Sequence, residues 1–306
     1  MRLINDPKTS SQSKEPMNLA LVPFYSLFCA VGFSTFIFSP LAVILAHRRL
    51  PDFWPKVVSL AGAVLALILF DAPVPSVLVS FVLGLFVADG IQKQVPVWKL
   101  MVRSGILIAA IGLIGLLSYT ATLNQSNPWS VWVTFIEKVL EQARKSPLAS
   151  GDWNWETTKE LLLYQGPFYF ISGNLLSVWL SLGLSAHLGW APESDIYSSK
   201  NLRKLQLPRL LGPVIMLCWA GSVFLPTPAK YFASGVVNCG LVFLSFQGFL
   251  VLSALMEPKK WAKGVRMGIY LGFILVGFYA LVGLGLISPG ILTKRRVQSE
   301  VLEESI

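Results

Sequence analysis

Residues 100–120 read LMVRSGILIAAIGLIGLLSYT, and Arg103 is the one charge among them. A helix rises 1.5 Å per residue, so the stretch is about 31 Å long, the thickness of a bilayer's hydrocarbon core. More apolar stretches flank it, at 20–38, 57–70, 74–88, 166–187, 210–225, 231–256 and 267–287. Segments 57–70 and 74–88 are short for a span, and the Phe70-Asp71-Ala72-Pro73 turn between them favours a tight hairpin dipping into one leaflet interface. Residues 40–46 form a shorter apolar piece ending in His47-Arg48-Arg49. It reads as a half-helix, or as the far end of one long first span kinked at Pro40. The expected fold is an all-α polytopic transmembrane helical bundle of about eight spans, with one short half-helix and an external amphipathic helix.

Composition agrees. Of 306 residues, 54% are hydrophobic and only 13% charged, with mean hydropathy +0.62. A soluble domain carries about 25% charged residues. This chain lacks the polar groups to cover a globular surface, so lipid must be the solvent for much of it. The balance of 25 basic to 16 acidic residues, +9, could suit a nucleic acid. Here the basic residues cluster between apolar runs, as in loops that face anionic lipid and cytoplasm. The expected partner is the lipid bilayer, with no nucleic acid. A single transmembrane domain over 18–290 lies between polar tails at 1–17 and 291–306, with 121–163 as an external connection. The first tail is polar and no A-x-A site follows, so the expectation is a retained anchor and no cleavable signal.

Loop charges predict the orientation. Arg48, Arg49 and Lys56 fall in one loop, and Lys93, Lys99 and Arg103 in or beside the next on that side. Lys200, Arg203, Lys204 and Arg209 fill a third, and Lys259, Lys260, Lys263 and Arg266 a fourth. These form the expected cytoplasmic face. Lys294-Arg295-Arg296, after the last span, falls on the opposite side by this count or lies along the interface. In the external connection, Trp129, Trp132, Val133, Ile136, Val139, Leu140 and Ala143 recur at helical spacing, which predicts a helix over 129–145 lying on the membrane or capping the bundle. Trp153 and Trp155 follow it, and Trp54, Trp98, Trp190 and Trp261 also flank spans, as an aromatic belt.

Little in the chain suggests catalysis. His47 and His187 are the two histidines, with no HExxH motif, and no G-x-S-x-G, Walker or dinucleotide glycine pattern occurs. Cys29, Cys218 and Cys239 lie in apolar runs without CxxC spacing, as small packing residues do. The expectation is a non-enzyme with no catalytic residue, metal site or cofactor. Asp89 and Arg103 could pair across the turn between their spans. No acid lies mid-span, which argues against a proton-relay pump.

Polar residues inside spans are more informative, because an unpaired amide in hydrocarbon costs several kcal/mol. Asn174, Asn238 and Gln247 are the candidates, as interhelical hydrogen bonders or as ligand contacts. Asn238 and Gln247 are nine residues apart, two and a half turns, so they point to roughly opposite faces.

Several short motifs together resemble one family. They are Phe38-Ser39-Pro40-Leu41-Ala42 before a basic turn, the span carrying Asn174, Leu207-Pro208-Arg209-Leu210, Phe246-Gln247-Gly248-Phe249, and Leu284-Gly285-Leu286 before a basic tail. The order resembles the YybS-like family of bacterial polytopic membrane proteins of unknown function. In that family an acidic residue commonly precedes the basic tail, where this chain has Ser288-Pro289. The resemblance implies a bacterial inner membrane location and, by analogy of fold, the substrate-binding subunits of vitamin-type transporters. It carries Pro40, Asn174, Pro208 and Gln247 over as family positions without a known chemical task. The first reading of the chain is a small-solute binding or transport component, with Asn174 hydrogen bonding in a pocket towards the outer face. Trp153 or Trp155 would pack on the solute, with Asn238 and Gln247 as further contacts. An energising ATPase or other membrane protein would dock at Arg203, Lys204 and Arg209. The alternative is a non-transporting membrane scaffold or assembly partner. A polar enclosed cavity at Asn174 favours the first and a filled core the second.

Overall fold

The computed structural model describes residues 21–35, 38–51, 53–123, 127–145, 154–187, 197, 199–202, 208, 210–256, 265, 268–270, 272–273 and 277–287. Among them every regular element is a helix. The helices are α1 (Leu21–Thr35), α2 (Ser39–Arg49), α3 (Trp54–Leu69), α4 (Val74–Gln92), α5 (Val97–Thr122), α6 (Pro128–Arg144), α7 (Trp155–His187), α8 (Ser199–Leu202), α9 (Leu211–Phe224), α10 (Ala229–Met256) and α11 (Phe278–Ile287). By length and composition α4, α5, α7 and α10 can each cross a membrane, while α1, α3, α9 and α11 are shorter apolar helices. Trp153, Trp190, Arg203, Lys204, Arg209 and the basic tail at 294–296 lie outside the described residues.

The half-helix reading of residues 40–46 holds. Ten residues of continuous helix would separate Gly32 from Ala42 by about 15 Å. A Cβ added at Gly32 would instead lie 3.1 Å from the Ala42 Cβ, so the chain folds back between α1 and α2. Pro40 sits in the first turn of α2, where its missing N–H has no intrahelical use. Residues 39–46 are all buried, which makes α2 the centre of the first half of the molecule. Around it, α3 packs along α1 and α4 along α2. Small residues set these approaches: Gly62 faces Cys29 and Ala30 of α1, and a Cβ at Gly84 would lie 2.7 Å from Val43 of α2.

Two expectations about this half need correction. Segment 74–88 is no shallow hairpin arm, because α4 continues to Gln92 and is long enough to cross. Asp89 lies in its last turn, and the Asp89 carboxylate pairs at the surface with Lys93, the C-cap, at 2.7 Å. That bond also replaces the expected Asp89–Arg103 pair. Asp71 takes a left-handed backbone (φ 47°) in the turn between α3 and α4. Beyond the turn, α3 packs mainly against α1 and α4 mainly against α2.

Helix α7 starts earlier than the apolar run suggests, at Trp155, and passes through Pro167. At the other end of the chain, Gly248 of α10 and Gly285 of α11 form a close crossing. A Cβ on Gly248 would fall on the Leu281 carbonyl, and one on Gly285 on the Leu244 carbonyl. The pairs 248/281 and 244/285 make α10 and α11 antiparallel.

One end of the bundle gathers basic loops. His47 feels the charges of Lys56 and Asp89, so the end of α2, the start of α3 and the end of α4 meet there. The Tyr197 hydroxyl donates to the Val95 carbonyl and ties the segment after α7 to the α4–α5 turn. The opposite end carries α6, the start of α7 and the α9–α10 turn.

Candidate functional site

Helix α6 begins on an Asn127 cap, whose Oδ1 accepts from the Trp129 amide at 2.9 Å. Its Val131, Ile136 and Leu140 are buried while Glu137, Lys138 and Glu141 face out, so the amphipathic reading is realised as a cap on the bundle. The attachment to α7 follows from a proline. Pro167 has no N–H, so the Leu163 carbonyl four residues earlier loses its helical donor. The Trp132 indole N–H supplies the replacement at 2.9 Å. Gly166 makes room, since a Cβ there would lie 3.0 Å from the Trp132 ring. Lys159 of α7 and Glu137 of α6 add an ion pair at 2.6 Å.

Beside this junction lies a cleft of about 620 Å³, lined by Trp129, Leu163, Tyr164, Pro167, Pro228, Ala229 and Phe232. Tyr164 stacks on Tyr231 (centroids 5.4 Å) and packs against Trp129 at 5.7 Å. The Tyr231 hydroxyl donates to Glu160 Oε2 at 3.0 Å, and the Lys230 ammonium sits 4.8 Å from the Tyr231 ring centre. The cleft therefore has an apolar, aromatic wall with an acid and a base beside it.

The polar residues singled out from the sequence do not converge here or anywhere else. Asn174 is fully buried seven residues past Pro167, about 10 Å deeper along α7. Its Nδ2 donates to the Phe170 carbonyl at 2.7 Å, and its Oδ1 has no hydrogen-bond partner among the described residues. Trp179, five positions on, packs against Phe246 and Phe249 of α10. Five positions turn a helix by about 140°, so Asn174 faces away from α10. Gln247 is buried two turns after Gly240, on the stripe that meets Ile215 of α9. Asn238 is half-buried on the other side of α10, near Gly235, which meets Phe168 of α7. Trp155 lies nineteen residues, about 28 Å, from Asn174 along the same helix. It packs under the Arg144 guanidinium at 5.1 Å. A single pocket cannot use all four.

Tyr164, Phe232 and Pro228 were not legible as cleft residues, since aromatics at a membrane interface are ordinary. Pro167 within a helical pattern, four residues after a carbonyl within reach of a tryptophan, was the available signal. Two further polar residues, Ser39 and Ser80, are buried within the bundle. Among the described residues no group of three or more metal-binding side chains comes together.

No curated protein and no solved structure matches the chain. A family model described as a predicted membrane protein (DUF2232) matches residues 18–287, which spans the bundle from before α1 to the end of α11. With four helices able to cross a bilayer and apolar helices beside them, the chain belongs to the DUF2232 family of predicted membrane proteins.

Proposed function

We propose that the chain is a small-solute binding component of a transport system in a bacterial inner membrane, and that it takes up its solute at the outer cleft. The cleft carries this reading: about 620 Å³ lies within the size range of small-molecule pockets, roughly 300–1,000 Å³. Its aromatic and prolyl wall suits an apolar or aromatic portion of a solute. Glu160, Tyr231 and Lys230 stand beside it for the polar portion. The solute seat is thus Trp129, Tyr164 and Phe232 in place of Asn174 and Trp155. The YybS-like motifs and their analogy to vitamin-transporter subunits give the reading its direction. In it the chain crosses about eight times, with the basic loops in the cytoplasm. An energising ATPase docks on that face near Arg203, Lys204 and Arg209.

The test is purification of the tagged protein in mild detergent, followed by native mass spectrometry of retained molecules and identification of co-purifying proteins. The reading expects a retained small molecule that Trp129→Ala and Phe232→Ala both release, with an ATPase in the complex. Retention of phospholipid alone, together with a stable envelope protein and no ATPase, would establish the scaffold instead.

A further inference from the structure

A helix end buried inside a membrane protein needs partners for its free amides, and α2 has such an end. Its eleven residues span about 16 Å, and its basic C-terminus lies at the loop face, beside Lys56 and Asp89. Its N-terminus therefore reaches about halfway through a core of roughly 30 Å. No side chain caps that end. Pro40 has no N–H, which leaves the Ser39 and Leu41 amides in the first turn without intrahelical acceptors.

The neighbouring helix brings more donors to the same point. Gly84 of α4 meets Val43 of α2, and Asp89 acts on His47, so the two helices run parallel in register. One turn earlier on each, on the same facing stripes, stand Ser39 and Ser80. They are 1% and 0% exposed. Neither hydroxyl has a hydrogen-bond partner among the described residues. That register puts both buried hydroxyls at the level of the positive end of α2, and the Phe38 side chain just before it is exposed.

We infer that the N-terminus of α2, with the Ser39 and Ser80 hydroxyls, is a binding site for a small anion: a halide or the carboxylate of a solute. Backbone and hydroxyl donors together with the helix dipole favour negative charge, and none of these groups carries a charge that would bind a cation. Discontinuous helices in transporters present their half-helix N-termini to anionic groups in the same way. The inference goes beyond the solute-binding reading and uses none of its residues. Asn174 Oδ1, an acceptor, is not part of the site.

The experiment uses the full chain in lipid nanodiscs. Thermal unfolding is followed by tryptophan fluorescence during titration with sodium chloride and sodium formate, with sodium gluconate at equal ionic strength as the reference. The site predicts a saturable rise in midpoint with chloride or formate that gluconate does not give. The Ser39→Ala/Ser80→Ala double variant should need at least tenfold more anion for half the effect. Ser80→Thr, which keeps the hydroxyl, should titrate within about threefold of wild type, from the cost of one modest repacking. If the double variant does not fold, chloride-35 line broadening on the wild type, displaced by formate, supplies the reading without it. Identical curves for all three salts and no displaceable broadening would show that the serines hold only water, and would overturn the site. So would a double variant that titrates as wild type. Absence of any anion effect in the wild type, while its cleft still retains a small molecule, removes this site and leaves the solute-binding reading. The reverse result removes that reading and leaves this site.

Discussion

The centre of the bundle and its outer cap are held together in different ways. Around α2, backbones approach through glycine and serine, and Gly62 and Gly84 press on α1 and α2 with no room for a methyl group. At the far end, α6 hangs on α7 by side-chain contacts: an indole hydrogen bond, an ion pair, a tilted aromatic contact and the Arg144 guanidinium over Trp155. A glycine contact fails as soon as volume is added, because packed interiors relax little. A tethered helix can release its contacts one by one while the core stays packed. The rigid part therefore fixes the anion site, and the adjustable part borders the cleft where a solute would enter.

The largest effect should come from breaking the rigid side. In Gly62→Ala the new methyl would overlap the Cys29 Cβ, with the Ser26 carbonyl 2.9 Å and the Ala30 amide 3.2 Å away. Backbone atoms of a packed helix cannot step aside, so the expected loss is about 1–3 kcal/mol. The measurement is the midpoint of denaturant unfolding in detergent. Gly115→Ala is the matched control: nothing lies within 4 Å of its added methyl, so it should gain up to about 1 kcal/mol from helix propensity. Equal effects at the two positions would break the distinction between a packed interior and an open lipid face.

The second test sharpens the account of the cap. Trp132→Phe keeps the ring but removes the N–H that satisfies the Leu163 carbonyl, and Pro167 cannot replace it. A loss of about 1–2 kcal/mol is expected. In a Pro167→Ala background the helix can supply its own donor, so the same substitution should cost less than about half as much. The coupling is read from a double-mutant cycle. Additive losses would mean that the indole bond and the proline are unrelated.

How far these features could be read in advance varied with the kind of physics involved. Apolar length is written locally, and helices stand at each of the expected stretches among the described residues, four of them long enough to cross. The amphipathic cap was equally plain, because periodicity is also local. Helix ends were harder to read. Asp89 looked like a terminus, but it lies in the last turn of α4, which runs on to Gln92. Gly166-Pro167 looked like a helix start, but Trp132 repairs the hydrogen bond that the proline removes. The candidate site was the least legible. Asn174 and Gln247 stood out by residue type, yet they face different neighbours, which only the packing of α7 and α10 reveals. Ser39 and Ser80 did not stand out, because their meaning comes from the register of two helices 41 positions apart in sequence.

A smaller change tests the rim of the cleft. Tyr231→Phe keeps the stack on Tyr164 and deletes only the hydrogen bond to Glu160, which is exposed. Fold stability should therefore stay close to wild type. Retention of a solute with a polar group should weaken by several-fold, read by native mass spectrometry. Unchanged retention with full stability would confine recognition to the apolar wall.

The smallest expected effect belongs to the shortest ion pair of the cap. Lys159 and Glu137 are 2.6 Å apart, which looks like a strong tether, but both lie at the water-facing end with the Glu137 side chain half exposed. Water already solvates each charge well, and holding two long side chains in one geometry costs entropy, so exposed pairs of this kind contribute little. Lys159→Gln should leave the unfolding midpoint unchanged, and added salt should leave it unchanged too, because screening acts on an interaction that was weak from the start. Trp132→Phe, one turn away and without any charge, should still destabilise the cap. If Lys159→Gln proves the more damaging of the two, α6 is held by electrostatics. The proline-and-indole account of the cap would then have to be given up, while the glycine-packed core around α2 would stand untouched.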